Sequence, residues 1–320
     1  MKRAVLLRTT ARRLAAGLMW SACGVLASER AAKSQDFATA LARAEAVRRD
    51  VSSGPKASQE AYAVALAAFL RLTVDGAERR AHLAEGAFCA WRAGDLRQAP
   101  ALYAEAWREL EHSGALADQR LRALLDCGQA VQAIEFAKEV AVDHPRVVAA
   151  VLSGDGRGGD SRVLSAADGL LKANQTELGL WAFRTAAEGS PGNAAALANF
   201  ALALRCVGYV AACRESYRQA MVLAPEDDLL CNDYALFLKG VGRVQEAIEF
   251  FHKGRELEKP PGSSPAIPNL VQLQLTLGKP LLADAKAAMA TVLSVRPDAA
   301  FPRRLAIDLM LERRAEPKQR

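Results

Sequence analysis

The 320-residue chain is poor in the residues that build sheets and reactive centres. Aromatic residues make up 6% of it, and long runs of strict polar–apolar alternation are missing, so little or no sheet is expected. The four histidines, His82, His112, His144 and His252, stand isolated in sequence. None has the Cys, Ser or Asp arrangement of a nucleophilic relay nearby. Carboxylates such as Glu246 and Glu249 read as a solvated helix face rather than a catalytic pair. The six cysteines include no CxxC pair and no Cys/His cluster with zinc spacing. With Cys23 set aside, Cys89, Cys127, Cys206, Cys213 and Cys231 form an odd set, a poor disulfide framework, and read as small packing residues suited to a reducing compartment. No catalytic residue, metal or cofactor is expected.

Charge of one sign is also scarce outside one segment. The net charge is +6, but Lys2, Arg3, Arg8, Arg12 and Arg13 supply five of those charges, leaving a body at +1. That balance argues against nucleic acid as a partner. Arg303, Arg304, Arg313 and Arg314 read as a solvated face and tail. Long apolar runs are missing as well. The uncharged stretch from Leu14 to Ser28 is shorter than the roughly 20 residues a membrane span needs. A basic start followed by this short apolar run has the layout of a secretory signal, with Val25 and Ala27 placed for cleavage after Ala27. Residues 1–27 are therefore expected to direct export, to the periplasm or a membrane-associated site. The alternatives are a lipid anchor at Cys23, a twin-arginine signal, an organellar transit peptide, or a retained helix in a cytosolic or organellar protein.

What is abundant is alanine and leucine, with hydrophobic residues at 51%. Both lose little on entering a helix, so the fold class expected is all-α. A layout then recurs. Gly94 is followed by Ala99, Tyr103 and Ala106, and Gly128 by Ala133, Ala137, Val140 and Pro145. Gly208 leads to Cys213, Tyr217, Ala220 and Pro225, and Gly242 to Ala247, Phe251, Gly254 and Pro260. Gly278 leads to Ala283, Ala287, Ala290 and Pro297, and a weaker copy holds Gly179, Phe183, Ala186 and Pro191. The glycines are placed to end a first helix in the left-handed conformation. The small residues let two helices approach, the aromatics fill the space between hairpins, and the prolines stop the second helix.

This pattern resembles the tetratricopeptide repeat family, whose unit is a helix hairpin of about 34 residues. The resemblance implies a right-handed superhelix, an α-solenoid, of stacked hairpins. Units fall at 80–113, 114–147, 160–193, 194–227, 228–261 and 264–297. Asn174 stands where the third unit should have its turn glycine, and the signature Trp and Gly of the first helix are mostly replaced, Leu197 and Ala201 serving instead in the 194–227 unit. Residues 28–79 are expected to form an N-terminal hairpin, with helices at 36–50, capped by Asp36, and 58–74, joined by the SSGPK turn. Residues 148–159 read as a Gly-rich insertion; Gly154, Gly156, Gly158 and Gly159 lack the Lys-Ser/Thr of a P-loop, and Asp155 and Asp160 lack a second acidic set for calcium. Residues 298–314 suit a capping helix, and 315–320 a frayed tail.

The resemblance implies a groove lined by the first helices that holds a protein or an extended peptide. Of the family's carboxylate clamp only Asn199 fits, with Ser161, Ser165, Leu229 and Asp233 in the other places, so no clamp is expected. An asparagine ladder fits better, because Asn199, Asp233 and Asn269 fall at the same place in three successive units. Such groups can hydrogen-bond a peptide backbone without reading its sequence. Further groove candidates are Phe88, Trp91 and Arg92, with Arg122 and Leu236 at the place of Phe88 and Lys239 at that of Trp91. The function expected is a non-enzymatic scaffold; the alternative is a cytosolic or organellar adaptor, or a regulatory or substrate-docking subunit of an enzyme complex.

Overall fold

A computed structural model describes residues 28–72, 76–154, 159–277, 285–302 and 304–306. Among these residues every regular element is helical. The chain divides into two compact units, 1–148 and 149–320. The expected export signal with Cys23, the turn at Gly278, residues 155–158 of the Gly-rich stretch and residues 307–320 lie outside the described residues.

The first unit opens with α1 (28–49) and, after a short 3-10 turn, α2 (Gly54–Phe69). Helix α1 starts earlier than the sequence reading places it. Nothing in Ser28–Gln35 breaks a helix, so Asp36 lies inside α1 instead of capping it. Gly54, Pro55 and Lys56 likewise open α2, with proline in the first turn where its missing N–H costs nothing. Phe37 of α1 is fully buried, 5.6 Å from the ring of Phe69. The next hairpin has a broken first arm, α3 (Ala77–Ala81) and α4 (Leu83–Arg92), and a second arm, α5 (Gln98–Glu109). Helices α6 (Gly114–Asp126) and α7 (Ala130–Val140) follow. Pro145 does not close α7; it begins α8 (Pro145–Ser153). Val148, Val151 and Leu152 give α8 a buried apolar stripe, which is why the first half of 148–159 is helix instead of loop.

The second unit stacks α9 (Ser161–Lys172) with α10 (Thr176–Glu188), α11 (Ala194–Cys206) with α12 (Val210–Leu223), and α13 (Asp228–Gly240) with α14 (Val244–Leu257). Helices α15 (Ala266–Thr276) and α16 (Ala285–Val295) complete the series. The first arms α9, α11, α13 and α15 form one row, each touching the next. Short helical pieces at 300–302 and 304–306 follow, where Leu305 packs with Ile267, Val271, Met289 and Val292.

The same turn closes each described hairpin from α4 onward. Gly94, Gly128, Gly208 and Gly242 have φ between +74° and +82°, and Asn174 takes the same left-handed conformation at +62°. In each, the N–H three residues after the helix end reaches back to a carbonyl of the last turn: Asp95 to Ala90, Gln129 to Leu124, Gln175 to Leu170, Tyr209 to Leu204 and Arg243 to Leu238, at 2.8–2.9 Å, and the N–H of the left-handed residue itself bonds the carbonyl three residues before it, at 3.0–3.2 Å. This double closure satisfies the orphan carbonyls and fixes the angle at which the second arm leaves. First arms also start alike. Ser113, Asp160, Asn193 and Asp227 each accept a hydrogen bond from a backbone N–H of the first turn.

The positions expected for packing are buried up to α14; in α16 Ala287 and Ala290 are exposed, and Ala285, Ala288, Met289 and Val292 face the core instead, so the last unit departs from the expected register. Ala99, Ala133, Cys213 and Ala247 sit where the arms cross, and Tyr103, Phe183, Tyr217 and Phe251 fill the core. Gly179 holds the crossing place in α10. A Cβ there would meet the Ala167 carbonyl at 2.9 Å and Leu171 at 2.8 Å, so α9 and α10 approach too closely for a side chain. The five described cysteines are unpaired thiols. Burial pushes Cys89 to about 12 and Cys213 to about 11, so both are protonated packing groups at neutral pH.

Candidate functional site

Within the second unit the row of first arms carries Asn199 on α11, Asp233 on α13 and Asn269 on α15, all half-buried. The structure joins two of them through a residue the sequence reading missed. Asn232, only 3% exposed, donates from Nδ2 to Asp233 Oδ1 at 3.2 Å and accepts at Oδ1 from Asn269 Nδ2 at 2.8 Å. The ionised Asp233 carboxylate only accepts, so it sets the orientation of both amides in turn. Burial raises the carboxyl of Asp233 above its ordinary range, against the lowering effects of the Asn232 hydrogen bond and the nearby Arg205 guanidinium. Below it on α12 lies Tyr217, fully buried, its ring 5.6 Å from Tyr234 and 5.9 Å from Phe237. Its hydroxyl has no hydrogen-bond partner, and burial, with Asp233's charge adding to it, holds the proton on.

Asp233 lies 36 residues before Asn269, two more than the repeat period. The extra length is taken up by the loop after α14. There the buried Glu258 carboxylate accepts from the N–H groups of Gly262 at 2.8 Å and Ser264 at 3.2 Å, and Ser264 Oγ accepts from Ala266 N at 3.3 Å at the start of α15. Leu236 packs against the core of the unit, and Lys239 lies half-buried in the last turn of α13, at its negative dipole end.

The turn residues expose a pattern that the ladder search read only in part. Asn199, Asp233 and Asn269 each stand nine residues before the turn position of their hairpin. So do Glu85, Gln119 and Ser165, ahead of Gly94, Gly128 and Asn174. Every one of these six places holds a hydrogen-bonding side chain. In the first unit, Glu85, Phe88 and Gln119 line a pocket of about 270 Å³ together with Glu45 and Arg48 of α1. The offset from the turn was the signal for Glu85 and Gln119; nothing in the sequence announced α1 as a wall.

The other first-unit candidates are already engaged. Phe88 meets Tyr62 edge to face at 5.6 Å and Trp91 at 6.0 Å. Trp91 donates from Nε1 to Asp126 Oδ2 at 2.9 Å, across to α6. Arg122 is held by both oxygens of Asp118, at 2.9 and 3.0 Å, while Arg92 is exposed. The histidines are less isolated in space than in sequence. His112 stacks on Trp107 at 4.2 Å, and His144 Nε2 lies 3.0 Å from the His112 carbonyl. His82 Nε2 lies 3.3 Å from Ser34 Oγ, and no carboxylate joins that pair among the described residues.

The helix pairs, the left-handed turn and the buried small and aromatic places together decide the fold. It is a tetratricopeptide-like helical repeat. The chain matches no family model and no curated protein. Among solved structures, MamA from Desulfovibrio magneticus RS-1 is similar at 21% identity and a TM-score of 0.40, over 56% of this chain and 96% of that one. A tetratricopeptide repeat protein from Parabacteroides merdae is similar at 12% identity and a TM-score of 0.42, over 85% of this chain and 98% of that one.

Proposed function

We propose that the chain is a non-enzymatic scaffold that holds another protein by an extended segment laid along its first arms. The observation that carries this reading is the hydrogen-bonding side chain nine residues before each hairpin turn: Glu85 and Gln119 in the first unit, and Ser165, Asn199, Asp233 and Asn269 in the second. The crossing and core positions beside these places are apolar, and at Asp233 and Asn269 the polar groups bridge α13 and α15 through Asn232. Amide and carboxylate groups at a fixed interval match the donors and acceptors of an extended backbone. Phe88, beside Glu85 in the first-unit pocket, adds an apolar anchor of the kind that concentrates binding energy. Replacing Asn199 and Asn269 together by alanine is expected to weaken partner recovery in affinity capture at least tenfold. Unchanged recovery overturns the proposal.

The proposal extends to location. The basic start and apolar run of residues 1–27 support export of the mature scaffold, with attachment through Cys23 as a variant of the same route. N-terminal sequencing of the protein isolated from cells is expected to begin near Ser28. A native protein that begins at Met1 rejects export by cleavage.

A further inference from the structure

We infer that the Asp233 rung receives a lysine ammonium or arginine guanidinium of the bound segment, an inference that rests on the reading of the polar row as a peptide track.

Asp233 differs from the other described rungs of its unit in being a carboxylate with unused capacity. A carboxylate offers about four lone-pair sites. Among the described residues Asp233 receives one hydrogen bond, from Asn232 Nδ2, and forms no ion pair. Arg205 is the countercharge whose field reaches it, but that side chain is exposed and unbonded to it. Asp233 is thus held half out of water, with one donor where several are accommodated.

A further acceptor accompanies it. Asn269 spends its Nδ2 on Asn232, which leaves its Oδ1 as an acceptor. A surplus of acceptors around a partly desolvated carboxylate is matched by a group with several donors and a positive charge. An ammonium has three N–H donors and a guanidinium five. A neutral backbone amide brings one donor and no charge, and hydrogen bonds in which both partners are ionised are the stronger kind. Asn199, the uncharged rung before it, suits a backbone amide; Asp233 suits a cation. Burial, which opposes the carboxylate form in the empty row, is offset once that cation arrives.

The test is selection from a displayed library of random linear decapeptides on the full chain, repeated on Asp233→Asn. The expected result is enrichment of Lys or Arg at one fixed position of the retained peptides. Asp233→Asn should abolish that enrichment and bind the selected peptides at least tenfold more weakly, while melting at or above the wild-type temperature. Should Asp233→Asn melt early, Asp233→Ser carries the test, because serine stands at the matching place of the α9 hairpin, at Ser165, and the variant is expected to lose the same cation preference. Retained peptides without a fixed cation, or a cation preference unaltered by both substitutions, overturn the inference and leave the track standing. Retention of no peptide overturns the inference and the track together.

Discussion

Tyr217 shows what one atom in the wrong solvent does to a repeat core. Phe251 occupies the same place one hairpin later and brings no oxygen, whereas Tyr217 buries a hydroxyl with nothing to bond. Removing an unsatisfied buried group relieves its desolvation, so Tyr217→Phe should stabilise the free protein by about 1 kcal/mol in urea unfolding. A loss of stability would show that the hydroxyl has a partner. Asp233 carries a similar penalty in its charged form. Its carboxyl titrates higher folded than unfolded, so the folded state binds the extra proton between those two values, and wild-type stability falls as pH rises through that window. Asp233→Asn keeps an acceptor for Asn232 and loses the charge. It should raise the melting temperature at pH 7, with the gain shrinking as pH falls through that same window and gone below the unfolded value. The sequence announced Asp233 by its 34-residue spacing from Asn199. It did not announce Asn232, because a polar residue one place along an amphipathic helix has no periodic signature. Only the packing of α15 beside α13 makes it a bridge.

At the scale of the element, the hairpin is specified by its turn and its crossing point. Both were legible: the turn because only Gly or Asn takes a left-handed φ cheaply, and the crossing because small residues recur five places later. The crossing at Gly179 leaves no room for a Cβ. Gly179→Ala should cost about 1–3 kcal/mol, because its methyl must displace the α9 backbone instead of a flexible side-chain end. The caps were less legible. Ser113, Asp160, Asn193 and Asp227 begin the first arms, yet Ser, Asp and Asn also read as ordinary loop residues. Asn193, which accepts from both Ala195 and Ala196, gives the cleanest measurement. Asn193→Ala should lower stability by about 1 kcal/mol. Helix α8 departed from the sequence reading for the converse reason: it begins at Pro145 with no capping residue or glycine to mark a start.

Across the whole molecule, repeats contact mainly their neighbours, so stability is a local quantity. Hydrogen exchange on Gly179→Ala should show lost protection in α9 to α11 and unchanged protection in α4 and α5. Uniform loss would mean that the chain unfolds as one cooperative block. Trp91 is bonded to Asp126 and Arg122 to Asp118, contacts that the repeat spacing did not announce.

The recurring double-bonded turn has one more consequence. Because it fixes where each first arm ends, the residue nine places earlier meets the row at a constant height. Packed helices lie about 8–10 Å apart, while an extended chain advances about 3.3 Å per residue. On the proposed reading, a segment laid along the first arms of one unit would meet a polar place at about every third residue. One residue inserted between two such contacts would put it out of step with the later places of that unit, so length between contacts would sort partners alongside their chemistry.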